Sequence, residues 1–321
     1  MLAMAPALAQ GGDEAVLDTV PSVAPGTVIA LDPGQGAGDA IGQYRFVLDF
    51  QHAQDRETTL IRTLIESEGV FAQVLDSLSD QIALPQDVPV VFEHCAEPNG
   101  YWDRNARKIT MCYEFVASLY QDHTALENGF APLLSWADPN EVMIGTTLFV
   151  LLHEIGHGMV TLFDLPITGR EEDAVDQFAL FILANSDEEG QPLSERPSRM
   201  GLLAAYSMLS EDYPIERAPR RVWADTHSLS PQRGIDQLCM VFGGDPDAYA
   251  PYVMPGYLMA TQFAEKRGER IEAEALIEMM DKSDDLNLIP WRRGVQCPTL
   301  FAQYEASWDY LIETFMTPKS N

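Results

Sequence analysis

Five residues, His153-Glu154-Ile155-Gly156-His157, carry the clearest chemistry in the chain. On a helix, positions four apart lie one turn apart on one face, so both imidazoles can reach one metal ion. Glu154 is rotated by about 100° from His153. It therefore stands beside the metal, where a carboxylate can take a proton from a water whose pKa zinc lowers to about 7. The spacing supplies two neutral ligands and one base. Two unrelated surface histidines would need no such arrangement.

A catalytic zinc needs a third protein ligand and an open fourth position. The next histidine downstream is His227. Nearer lies the acidic run Gly169-Arg170-Glu171-Glu172-Asp173-Ala174-Val175-Asp176. With Glu172 as ligand, Asp176 falls on the same helical face one turn later and can accept from a liganding ring's N–H, fixing its tautomer. Glu171 is followed at that spacing by Val175, and Asp173 by Gln177; both stay open as alternatives. Acids also favour the first turn of any helix, but Asp176 lies deeper, in an apolar run.

His153-Glu154-x-x-His157 followed by Glu172-x-x-x-Asp176 resembles the gluzincin zinc peptidases, the thermolysin-like class. The longer stretch is similar to a bacterial family of secreted metallopeptidase-like proteins of unknown function. That likeness extends to Cys95-Ala96-Glu97-Pro98-Asn99, Met111-Cys112-Tyr113-Glu114 and Asp225-Thr226-His227-Ser228-Leu229. It implies a zincin-like fold, one Zn2+ per chain and hydrolysis of a peptide or protein substrate. His153, His157 and Glu172 would bind metal, Glu154 would act as general base, and Asp176 would orient a ligand, His153 first. By the same analogy His227, near Asp225, would steady the oxyanion; Arg220, Arg221, Arg233 and Tyr113 are rivals. His52, His94 and His123 read as structural or surface residues. The gap from His157 to Glu172 is shorter than in thermolysin-like enzymes, so their substrate subsites do not transfer. The other readings are a zinc-bearing scaffold that no longer cleaves and a processing protease with one target. The intact Glu154 argues against the first.

The elements that must position these groups form an α+β pattern, a small early sheet followed by a mostly helical body. Strands are expected over Tyr44–Phe50, Val88–Phe92 and Lys108–Tyr113, with Pro89 marking an edge or a strand start. Asn99-Gly100 and Asp103–Ala106 read as turns. Helices are expected over Asp55–Glu68, Val70–Gln81, Glu114–Glu127, Asn140–Phe163 and Glu171–Asn185. Lys108–Tyr113 is the candidate edge strand that would pair with extended substrate. Gly156 costs helix stability by about 1 kcal/mol against Ala, so it is expected where another backbone comes close.

Four cysteines, none in a C-x-x-C pair, fit two disulfides in an oxidising compartment. Cys95 and Cys112 flank neighbouring strands, which leaves Cys239 with Cys297. Ala7-Leu8-Ala9 at the end of an apolar stretch reads as the tail of a signal peptide over residues 1–10, consistent with a secreted or periplasmic bacterial protein. Residues 11–42 read as a flexible lead-in, with Gly34–Gly38 an ordinary loop. One metallopeptidase-like domain is expected over 43–321, with an α+β part at 43–165 and a helical part at 166–321. The formal charge of -29 repels phosphate-rich partners and argues against nucleic acid and anionic membranes. The apolar run Met143–Leu152 is too short for a bilayer, which needs about 20 residues.

Overall fold

The structure, a computed structural model, describes residues 37–126, 137–188, 190–209, 224–267 and 272–318. The expected signal-peptide tail and most of the lead-in lie outside the described residues. The described part of the Gly34–Gly38 run is loop, with Gly38 N–H donating to Ala83 O at 2.8 Å.

The fold is α+β. Four strands, β1 (Phe46–Phe50), β2 (Val88–Glu93), β3 (Gly100–Asp103) and β4 (Lys108–Cys112), form one sheet in the order β1-β2-β4-β3. β1, β2 and β4 run parallel, and β3 returns antiparallel on β4. Two expectations are corrected here. β4 is an interior strand, flanked by β2 and β3, and the edge on the site side is β3. Asn99-Gly100 is not a turn: Asn99 O accepts from Cys112 N–H at 3.0 Å and Gly100 opens β3. Pro89 sits in an interior strand, as its second residue. Val88 N–H donates toward β1, to Arg45 O at 2.9 Å, so the Pro89 nitrogen faces the β4 side, where pairing starts only at Val90. The missing N–H thus breaks no ladder bond.

Helices α1 (Arg56–Glu68) and α2 (Val70–Ser79) connect β1 to β2, joined at Gly69, whose φ of 70° suits a residue without Cβ. α3 (Tyr113–Leu126) follows β4 directly. The 25-residue α4 (Pro139–Phe163) is the core helix. Asp138 caps it by accepting from Asn140 N–H at 2.8 Å, Glu141 reaches back to Asp138 N–H at 3.1 Å, and Pro139 takes the first turn. α4 is buried nearly all round and, outside the His153-Glu154-His157 stretch, mostly apolar, because it touches β3, β4 and α3 as well as the later helices α5 (Glu171–Ala184) and α6 (Ser198–Leu209). By length and composition it could cross a membrane, but it is mostly buried inside the protein. The remaining described helices are α7 (Ser230–Gly244), α8 (Pro246–Val253), α9 (Pro255–Arg267), α10 (Ala273–Lys282), α11 (Trp291–Gly294) and α12 (Cys297–Phe315).

Disulfides join Cys95 to Cys112 and Cys239 to Cys297, both as expected. The first closes the loop that contains β3. The second ties α7 to the start of α12. Both fit an oxidising environment.

Candidate metal centre

The site forms where three elements meet: the middle of α4, the first turn of α5, and the loop before α7. Gly156 allows the first meeting. A Cβ there would lie 2.8 Å from Val175 Cβ and 3.2 Å from Phe178 Cδ1. The close approach is therefore made by α5 side chains rather than by backbone. It brings Glu172 and Asp176, on either side of Val175, up to the two histidines.

His153 Nε2 lies 3.3 Å and His157 Nε2 3.2 Å from the same Glu172 oxygen, Oε2. Ligands 2.0–2.1 Å from a tetrahedral zinc stand about 3.3 Å from one another, so these separations fit a shared ion. The rings meet edge to face, with centroids 4.9 Å apart. Each presents Nε2 inward because Nδ1 is engaged outward. His153 Nδ1 pairs with Asp176 Oδ1 at 2.7 Å, and His157 Nδ1 with Glu171 Oε1 at 2.7 Å. Nδ1 and Nε2 are on opposite sides of an imidazole. Glu171 therefore approaches His157 from the side away from the common point, and Glu172 approaches from within. Adjacent helical residues project about 100° apart, which is how one acid reaches each nitrogen. Asp173 faces elsewhere, accepting from Ser228 Oγ at 3.0 Å.

Two arginines complete the surround. Arg233 of α7 clasps both oxygens of Asp176, Nε to Oδ2 at 2.8 Å and Nη2 to Oδ1 at 2.7 Å. Arg104, in the turn after β3, donates to Glu171 Oε1 at 2.6 Å. Arg233 is thereby committed to Asp176 rather than to the cleft. Sequence reasoning missed Arg104 and the orienting position of Glu171. The adjacent acids Glu171-Glu172 were the available signal.

Glu154 is buried beside the histidines and accepts from Trp102 N–H at 2.8 Å. Trp102 is on β3, the edge strand, and its N–H points away from β4. Its indole lies over Gly158 and donates to Thr161 Oγ1 at 3.1 Å, fixing β3 on α4. His227 also reaches the cluster. Its Nε2 is 2.9 Å from Glu172 Oε2, its Nδ1 is 3.3 Å from Asp225 Oδ1, and its ring stacks 5.8 Å from that of His153. The loop is pinned by Ser228, which donates to Asp173 and accepts from Arg170 at 3.2 Å.

The other candidates are elsewhere. Tyr113 is buried and donates its hydroxyl to Gln51 O at 2.8 Å. Arg220 and Arg221 lie outside the described residues. His52 is exposed, His94 Nδ1 is 2.8 Å from Glu114 Oε1, and His123 lies on α3.

The electrostatics follow from this packing. Burial raises the Glu154 pKa. Burial opposes a charge on Glu172, but its three histidine neighbours outweigh that and hold it well below the usual carboxylate range. Asp176 is likewise depressed, with Arg233 and His153 prevailing over burial.

The fold and the site define an α+β protein with a His153–His157–Glu172 cluster able to hold a metal ion. The chain belongs to the protein family described as "Putative metallopeptidase", whose model matches residues 50–276 and so takes in β2, β3, β4, α4, α5 and the His227 loop. No curated protein and no solved structure matches the chain.

Proposed function

We propose that this protein is a zinc-dependent peptidase holding one Zn2+ per chain on His153, His157 and Glu172. The observation that carries the reading is the grouping of His153 Nε2 and His157 Nε2, one helical turn apart on α4, about one Glu172 oxygen, with a buried carboxylate, Glu154, alongside. Nitrogen–nitrogen–carboxylate donor sets leave zinc an open position for catalysis. When bound, the ion supplies Lewis acidity and a water acidic enough to react near neutral pH.

The chain's own residues do the rest. Glu154, anchored by Trp102 N–H, takes the proton of the attacking water as its oxygen bonds to the scissile carbonyl carbon. It passes that proton to the amine as the C–N bond breaks. A carboxyl whose pKa burial has raised is suited to both transfers. Asp176, held by Arg233, keeps His153 in one tautomer and orientation. His227, at the half-exposed rim, donates to the carbonyl oxygen as charge develops there. The edge strand β3 offers its outer face to an extended substrate, a role the sequence had suggested for β4. The two disulfides support action in an oxidising compartment, secreted or periplasmic.

The test is Glu154→Gln in the full chain, assayed with a peptide library and by metal analysis. Wild type is expected to carry about one zinc per chain and to cleave in a chelator-sensitive way. Glu154→Gln is expected to keep the zinc and lose cleavage. Full activity in Glu154→Gln overturns the mechanism, and absence of zinc after loading overturns the site.

A further inference from the structure

The Arg104–Glu171 ion pair is 2.6 Å long and lies largely at the surface, with Arg104 more than half exposed. As a surface pair it contributes little to stability. Its place in the fold gives it another use. The oxygen that takes the Arg104 guanidinium, Glu171 Oε1, is the same one that holds His157 Nδ1 at 2.7 Å. A chain of contacts therefore runs from the β3–β4 turn through one carboxylate oxygen to one of the two histidines.

The turn that carries Arg104 is preset. Asp103 Oδ1 accepts from the backbone N–H groups of Asn105 and Ala106 at 2.8 and 2.9 Å, closing a local turn. Two residues earlier on the same strand end, Trp102 N–H holds Glu154. Residues 102 and 104 thus contact the base and the carboxylate that orients His157. The cleft edge and the histidine pair are mechanically joined at both points.

We propose that Arg104 is a positioning residue that acts through Glu171 on His157, coupling the edge-strand turn to the metal-holding geometry. Arg104 fixes the Glu171 side chain, and Glu171 fixes the His157 ring so that Nε2 faces the common point. This rests on the reading of His157 as a metal ligand. Outer partners of ligating histidines typically change metal affinity by about 10–100-fold, more than a surface ion pair contributes to folding.

The experiment measures Zn2+ affinity of the full chain by competition with a chromogenic chelator, together with the thermal midpoint of the metal-free protein. Glu171→Ala is expected to weaken Zn2+ binding by about 10–100-fold. Arg104→Ala is expected to weaken it several-fold, and Arg104→Lys to recover part of the loss. None of the three should move the metal-free midpoint much. In the Glu171→Ala background, Arg104→Ala should have no further effect, because its path is gone. Arg107→Ala, in the same turn but bonded to Gln86 at 2.6 Å, should bind Zn2+ like wild type. Wild-type affinity in Arg104→Ala, or a loss of equal size with and without Glu171, overturns the coupling while the metal site stands. Equal Zn2+ binding by wild type and His157→Ala overturns the metal-site reading and this inference with it.

Discussion

Asp176 Oδ1 lies 2.7 Å from both His153 Nδ1 and Arg233 Nη2, so one buried oxygen serves a histidine and an arginine from a third element. Removing the charge while keeping the shape separates those duties. Asp176→Asn retains a group of the same size, but its amide must turn one N–H₂ face toward Arg233 or His153, both donors. Zn2+ affinity should fall by about 10–100-fold. The metal-free protein should also be destabilised by about 3 kcal/mol, because the mostly buried Arg233 guanidinium loses the charge that faces it. Chelator competition and urea unfolding measure the two effects.

The histidines make metal binding depend on pH. Burial disfavours a charge on His153, but Asp176 and Glu172 outweigh it and lift its pKa to about 9; His157 is also raised, by Glu172 and Glu171 against burial. At neutral pH the metal-free protein therefore holds a proton on His153 that a metal must displace. Zn2+ affinity should rise with pH up to about 9, and calorimetry in buffers of different ionisation enthalpy should register proton release on binding. A raised folded pKa stabilises fully below the unfolded value of 6.5 and loses that contribution as pH climbs through about 9. The metal-free melting midpoint should fall across that window. The zinc-loaded protein, whose rings carry no such proton, should not share the fall.

What was legible in the sequence was what local pattern encodes. The His153/His157 spacing, the Asp176 step from Glu172 and the apolar runs of β1, β2 and β4 all follow from helix and strand periodicity. β3 was hidden because it is four residues long, begins with glycine and ends with aspartate, the composition of a turn. The edge position was misassigned for a related reason. A run such as Lys108–Cys112 announces a strand but not its neighbours, and the order β1-β2-β4-β3 is set by where β3 folds back. Arg104 and Glu171 are 67 residues apart in sequence, and no periodicity spans that distance.

Gly156→Ala weighs a local gain against a packing loss. Alanine should favour the helix by about 1 kcal/mol. Its Cβ, however, would stand 2.8 Å from Val175 Cβ, a branched side chain on a packed helix. Overpacking of this kind costs about 1–3 kcal/mol, so net destabilisation of about 1 kcal/mol is expected. Val175 is flanked by Ala174 and Asp176, and any shift of α5 also displaces Glu172. Zn2+ affinity should fall more than stability does, a disproportion that a purely structural glycine would not produce.

The two disulfides should separate stability from function. By loop-closure entropy, opening the 17-residue Cys95–Cys112 loop costs about 3 kcal/mol and opening the 58-residue Cys239–Cys297 loop about 4 kcal/mol. On stability alone, the second removal is the more damaging. The first loop, however, contains β3, and with it Trp102, which holds Glu154, and Arg104, which holds Glu171. The second closes α7 onto α12, which meet the site through Arg233 on Asp176 and through packing on α5, as in the Phe178–Trp308 ring contact, without touching Glu154 or Glu171. Paired Cys→Ala variants should therefore rank oppositely in two measurements. Denaturant unfolding should show the greater loss for Cys239/Cys297. Peptide cleavage, assayed well below both melting transitions, should show the greater loss for Cys95/Cys112. If cleavage instead follows stability, the edge strand has no hold on the site beyond keeping the protein folded.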